Sequence, residues 1–228
     1  MQLTDLSLHL AGPDGLRWAQ CAVTEHHYLH HPVDMRCRPL SYLIQSQGVP
    51  LGCLIFGRPE ATRVNGWYGD VWDVQGGKCP LSRWQVLNLA RVWIDPRLQH
   101  DGVDYVPNVA SWAIAQALRR VGYEFLIKRP PVWLEEPYEI REVLSYCQSS
   151  THRGTLYRAA NFTLKRTNER GIETWVRPLR RLTHAEHYEI ALRSREDQRG
   201  RRLRAARLVT QLALFEQNEY EVVREVRV

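Results

Sequence analysis

The run VLNLARVWI (86–94) sets the tightest constraint on what this chain can fold into. Val86, Leu87, Leu89, Val92 and Ile94 crowd nine residues with apolar side chains, three of them β-branched, and Pro96 closes the run. Such a stretch reads as a long strand buried in the middle of a sheet. Ahead of it, SYLIQSQGVPLGCLIFG (41–57) holds two β-rich runs around Gln47–Gly48, the pattern of a hairpin. Behind it, Ala110, Ile114, Ala117, Leu118 and Val121 share one face of a helix expected to stop at Gly122.

The remaining segments fill in around these. Leu16, Ala19, Val23 and Tyr28 predict a short helix over 16–28, and a Gly- and Trp-bearing loop spans about 58–82. EFLIK (124–128) is expected as a short strand, cut off by Pro130, Pro131 and Pro137. VLSYCQSS (143–150) predicts a strand, GTLYRAANF (154–162) a short helix or turn, and ETWVRPL (173–179) the last strand. From Thr183 a capping box closed by Glu186 opens a helical region whose apolar stripe is Leu208, Val209, Leu212 and Phe215. The expected organisation is one globular domain over 1–180 and an arginine-rich helical extension over 181–228.

Composition excludes several classes. With 44% hydrophobic residues, 8 Trp and 10 Tyr, the chain is not generally disordered, and no stretch approaches the roughly 18–20 apolar residues of a bilayer span. No basic segment precedes a long apolar run near the N-terminus, so a cytoplasmic protein without membrane attachment is expected. The cysteines at 21, 37, 53, 79 and 147 are scattered and form no C-x-x-C pair, which predicts reduced thiols rather than disulfides or a cysteine zinc site.

Charge is segregated. Between 177 and 207 stand ten arginines against Glu186, Glu189, Glu196 and Asp197, a surplus equal to the +6 of the whole chain. Guanidinium groups fork two hydrogen bonds onto anionic oxygens, so nucleic acid is the leading partner, with Arg199, Arg201, Arg202 and Arg204 as its candidate contacts. A solvated helical face is the alternative reading of the same run.

Two segments carry chemistry. EHHYLHH (25–31) places His26, His27, His30 and His31 within six residues, and an i, i+4 pair on a helix can hold a divalent metal, with Glu25 and Asp34 the nearest carboxylates. SYCQSSTHRGTLYRAANF (145–162) runs from a strand through the Gly154 turn into Tyr157 and Arg158, where a phenol, a cation and backbone N–H groups can share a small volume. On the central strand, Asn88 and Arg91 interrupt the apolar run and are candidates to face a cleft. Trp67, Trp72, Trp84 and Trp93 suit loop and core packing more than a base-stacking platform.

The succession of hairpin, long strand, loop, helix, strand and short helix resembles the acyl-CoA N-acetyltransferase (GNAT) fold, a mixed central α/β sheet flanked by helices. Within that superfamily, HHYLHH (26–31), GVPLGCLIFG (48–57), NLARVWI (88–94), VPNVASWAIAQAL (106–118) and LSYCQSSTHRGTLYRAANF (144–162) resemble the phage Mom-like DNA-modification proteins, with a related similarity to the A protein of Druantia antiphage systems. The likeness covers about 22–178 and implies conversion of adenine in DNA to N6-carbamoylmethyl-adenine, which protects phage DNA from restriction. It carries roles to Tyr157, Arg158, Tyr28 and Ser145 as catalytic residues and to His27 as a substrate-binding residue, beside which Asn88, a candidate to face the cleft from the central strand, is the second expected substrate contact. Arg91, with Asn108, Val109 and Ser111 at a helix start, becomes the candidate site for an acetyl-CoA-type donor; iron on the histidine cluster is the other cofactor implied. The loop there reads DPRLQHDGVDYVPNVAS, without the Q/R-x-x-G-x-G/A pyrophosphate motif, and Gln148 stands where the family has aspartate. DNA is the expected partner, a dimer one option of assembly. An acetyltransferase for a small amine or protein and a non-catalytic DNA-binding subunit are the competing readings.

Overall fold

A computed structural model describes residues 1–59, 81–128 and 139–203. They fall into two compact units, 1–59, 81–125 and 139–182 in the first and 126–128 and 183–203 in the second. The first unit is built on a seven-stranded mixed sheet: β1 (Ser7–Leu10), β2 (Leu40–Ser46), β3 (Val49–Gly57), β4 (Val86–Ile94), β5 (Glu142–Gln148), β6 (Thr163–Thr167) and β7 (Ile172–Pro178), in the order β1-β2-β3-β4-β5-β7-β6. Among the described residues four α-helices accompany it: α1 (Pro13–His26), α2 (Val109–Leu118), α3 (Val121–Lys128) and α4 (Thr155–Ala159).

The expected hairpin is β2–β3, turned by Gln47 (φ 50°) and Gly48 (φ 80°), which match the strand twist in a way that needs left-handed backbone at both positions. Successive residues face opposite sides of the sheet. Leu43, Cys53 and Ile55 pack with Ala19 and Val23 of α1 on one face, whereas Tyr42 on the other face stacks edge-on against Phe56 and hydrogen-bonds Glu124 of α3. Both faces are therefore covered, which is why β2, β3 and much of β4 read as continuous apolar runs rather than as alternating ones.

Two features shape the middle of the sheet. In the β3–β4 ladder Ile55 pairs with Arg91 and Phe56 with Leu89, so Ala90 is an extra residue and β4 bulges there. On its other edge β4 pairs in parallel with β5 only over Val86–Glu142, Leu87–Val143 and Asn88–Leu144. Beyond Asn88 and Leu144 the two strands part, although β4 runs on to Ile94 and β5 to Gln148. A gap opens in the centre of the sheet, at the C-terminal ends of its parallel strands.

Three sequence expectations change. EFLIK is not a strand: Val121 and Phe125, one helical turn apart, are both fully buried, and the segment is α3, with Gly122 inside it close to the Ile140 backbone. A short apolar run of this length suits either state, and packing decided it. β1 and β6 went unrecognised because four residues and five fully exposed residues carry little periodic signal. In the second unit the Thr183 capping box forms as expected, Thr183 N–H donating to Glu186 and Glu186 N–H to Thr183 Oγ1, and helix α5 follows over 184–203. The stripe from Leu208 to Phe215, Arg204, Trp67, Trp72 and Cys79 lie outside the described residues; the four described cysteines are free. Among the described residues no helix is long and apolar enough to cross a membrane.

Candidate active site

The gap between β4 and β5 is the floor of a cleft of about 720 Å³, within the usual range for ligand sites. Asn88 to Ile94 of β4, Tyr146 and Cys147 of β5, the start of α2, and the 151–157 turn and helix line it, with His26 to Leu29 at one wall. Among the described residues the lining contains Arg91, Arg153, three histidines and three tyrosines, and no aspartate or glutamate. A cleft with fixed cations and no carboxylate favours an anionic ligand and disfavours a polycationic one.

At the point of divergence, the Leu89 carbonyl loses the β5 backbone as a ladder partner. Ser145, buried on β5, lies with its Oγ 2.8 Å from that carbonyl and 3.0 Å from the Tyr157 hydroxyl. A serine has one proton to donate, so Ser145 serves either the Leu89 carbonyl or the Tyr157 oxygen at a time, while the Tyr157 hydroxyl donates to the Tyr146 carbonyl at 3.4 Å; with Tyr157 ionised, Ser145 can turn its proton to the phenolate. Tyr157 comes from α4, whose entry is Gly154 at φ 64°; a Cβ there would sit 2.5 Å from the Trp175 ring. Tyr157 stacks on Trp175 and meets Phe162 edge-on, and burial raises its pKa to about 12, so it is a phenol at neutral pH.

His27 stands opposite. It ends α1 as its C-cap with extended backbone, its ring 4.4 Å from that of Tyr28, which in turn is 5.0 Å from that of His152. Burial, Arg91, His152 and His30 together lower the His27 pKa to about 4, so the imidazole is neutral at physiological pH. Asn88 Oδ1 is buried with no hydrogen-bond partner, a group that calls for a donor from something bound. Arg91 Nη1 donates to the Ala90 carbonyl at the bulge.

The structure thus brings Tyr157, Ser145, Tyr28, His27, Asn88, Arg91 and Val109 to one cleft or its wall. Asn108 begins α2 in left-handed backbone and takes the Ser111 hydroxyl onto its carbonyl; neither belongs to the lining. Arg158 is also outside it, its guanidinium over Trp175. The metal expectation fails on geometry. The helix stops at His26, which stacks on Trp93, and His30 has φ 47°, so the i, i+4 pairs never share a helical face. Asp34 is engaged by Arg36, and among the described residues no three His, Cys, Asp or Glu side chains are grouped to hold a metal ion, so iron has no site there. Arg199, Arg201 and Arg202 lie on α5 in the second unit, Arg201 paired with Asp197. His152 and Arg153 line the cleft with no mark in the sequence, and Trp93, expected as a packing residue, lines it too.

No protein-family model and no curated protein matches the chain. Solved structures similar to it include a GNAT-family acetyltransferase from Bacillus cereus at 12% identity and TM-score 0.41, covering 78% of this chain and 99% of that one. Others are yncA of Salmonella typhimurium with its cofactor acetyl-CoA (11%, 0.47, 78% and 96%) and an N-acetyltransferase from Staphylococcus aureus (11%, 0.47, 77% and 99%). The architecture itself is the expected one: a mixed sheet flanked by helices, with hairpin, long strand, helix, strand and short helix in that order.

Proposed function

We propose that this protein transfers a small acyl or carbamoylmethyl-type group from an acetyl-CoA-like donor to the exocyclic N6 amine of adenine in DNA. The observation that carries the reading is the cleft's lining, which among the described residues is cationic, aromatic and without carboxylates, and holds the unpaired Asn88 Oδ1. An asparagine can accept from adenine N6–H while donating to N7. Tyr28, Trp93 and His152 offer flat faces to a base taken out of its stack. A cationic small-amine acceptor, the competing substrate class, would meet Arg91 and Arg153 in this lining, and among the described residues no lining carboxylate would receive it.

A donor of this class fits the residues present. The first N–H groups of α2 open at Val109 and Ala110 on the cleft wall, where helix geometry leaves them without intrahelical acceptors, and Arg91 adds a fixed cation for a diphosphate. When bound, the donor would supply a good leaving group on the carbon that N6 attacks, a carbonyl carbon for an acyl group and a methylene carbon for a carbamoylmethyl group. Asn88 orients the N6 amine toward it. His27, held neutral, accepts the N6 proton as the new N–C bond forms. Tyr157 gives its proton to the group that leaves as the old bond breaks, and Ser145 steadies the phenolate. Protonated His27, with a pKa near 4, then returns its proton through solvent to Tyr157, near 12.

The test is thiol release from acetyl-CoA by the purified full chain, with single-stranded oligonucleotides containing adenine or containing purine, which lacks the N6 amine. Release with adenine alone is expected. Release with small amines but neither oligonucleotide would overturn the DNA acceptor.

A further inference from the structure

Arg158 lies outside the cleft yet is firmly placed. Its guanidinium sits 5.7 Å over the Trp175 ring, and its Nη2 donates to the Arg153 carbonyl. The Arg158 carbonyl accepts from Asn161 N–H, and the Asn161 carbonyl accepts from Arg177 Nη1 at 2.8 Å. These bonds link Arg153, Arg158 and Arg177 in series along α4 and the exposed side of β7, starting at the cleft, which Arg153 lines. Among the described residues none of the three has a carboxylate within 4.0 Å of its guanidinium. The acid on this stretch, Glu173, is occupied by the Trp175 indole N–H at 2.8 Å.

We infer that Arg153, Arg158 and Arg177 form a track for the phosphates of a single nucleic-acid strand leading to the cleft. Arg158 and Arg177 each use one N–H group on a backbone carbonyl, so their planes are fixed before a ligand arrives while their other donors remain for anionic oxygens. An arginine held over an indole and hydrogen-bonded to a backbone carbonyl pays little ordering entropy when a phosphate binds. A strand laid along α4 would deliver one base into the gap between β4 and β5, where Tyr157 and Asn88 stand. This inference rests on the nucleic-acid acceptor proposed above, and it assigns the strand's grip to the first unit rather than to the arginines of α5.

The test is fluorescence anisotropy of a labelled single-stranded 20-mer with the full chain across 50–200 mM salt, for wild type, for R158Q/R177Q and for R199Q/R201Q/R202Q. Both arginines of the first pair are at the surface, and circular dichroism checks that the fold is kept. The track predicts roughly tenfold weaker binding for R158Q/R177Q and a log–log salt slope shallower by about 1.4, near 0.7 per lost phosphate contact. Wild-type affinity and slope in R158Q/R177Q, with binding lost in R199Q/R201Q/R202Q, would overturn the track and leave the acceptor standing. Absence of salt-dependent binding in the wild type would overturn both.

Discussion

Ser145 Oγ stands 3.0 Å from the Tyr157 hydroxyl while also reaching, at 2.8 Å, the Leu89 carbonyl that the parting of β4 and β5 leaves without a backbone partner. One side chain therefore repairs the sheet at its split and holds the phenol at the cleft that the split creates. Structure and chemistry meet in that residue, and its substitution separates from that of its neighbour. Tyr157→Phe keeps the ring on Trp175 and removes only the proton, so thermal stability should stay close to wild type while turnover falls about 100- to 10,000-fold. Ser145→Ala should lower both, because the buried Leu89 carbonyl loses its donor at a cost of about 1–3 kcal/mol. Calorimetry beside the thiol-release assay measures the pair; an active Tyr157→Phe would remove the phenol from the mechanism.

Asn88 predicts the opposite pattern. Its Oδ1 is buried and unpaired in the folded protein, so Asn88→Val should leave the melting temperature unchanged or raise it, while activity drops at least tenfold. A marked loss of stability would mean that Asn88 is structural.

His27 gives a pH signature. Its pKa is lowered from the ordinary histidine value of 6.5 to about 4, chiefly by burial and then by Arg91. Above pH 6.5 folded and unfolded chains are both neutral at this position and nothing is gained or lost. As pH falls from 6.5 toward 4 the unfolded chain takes up a proton that the folded one refuses, so stability declines, and below about 4 the contribution levels off. Urea melts at pH 7 and pH 5 should show a smaller loss for His27→Gln than for wild type; identical losses would contradict the shift.

How much of this was legible in the sequence follows from which interactions decide it. The central strand, its hairpin and the Gly154 turn were readable, because apolar crowding, the Gln47–Gly48 pair and a glycine before a helix are local signals. Tyr157, Ser145, Asn88 and Arg91 stand out in the sequence by residue type and setting, but what joins them is the divergence after Asn88 and Leu144, a long-range pairing with no local mark. The histidines misled for a related reason: spacing suggests shared faces only while the helix lasts, and it ends at His26. His152 and Arg153 read as ordinary turn residues until the fold set them on the cleft wall.

Gly154 tests the turn directly. Alanine there must adopt φ 64° and push its Cβ against Trp175 at 2.5 Å, so Gly154→Ala should cost more than about 1 kcal/mol and lower the melting temperature by several degrees. Activity should fall with it, since Tyr157 rides on the displaced helix. An unshifted melting curve would show that the turn relaxes freely.

The most direct test of the central claim is mass spectrometry of nucleosides digested from the DNA of cells expressing this protein, beside cells expressing Tyr157→Phe. The account predicts a mass-shifted deoxyadenosine with the wild-type chain, absent with the variant, its mass giving the transferred group. Unmodified deoxyadenosine in both, from cells whose purified wild-type protein acetylates small amines, would contradict it.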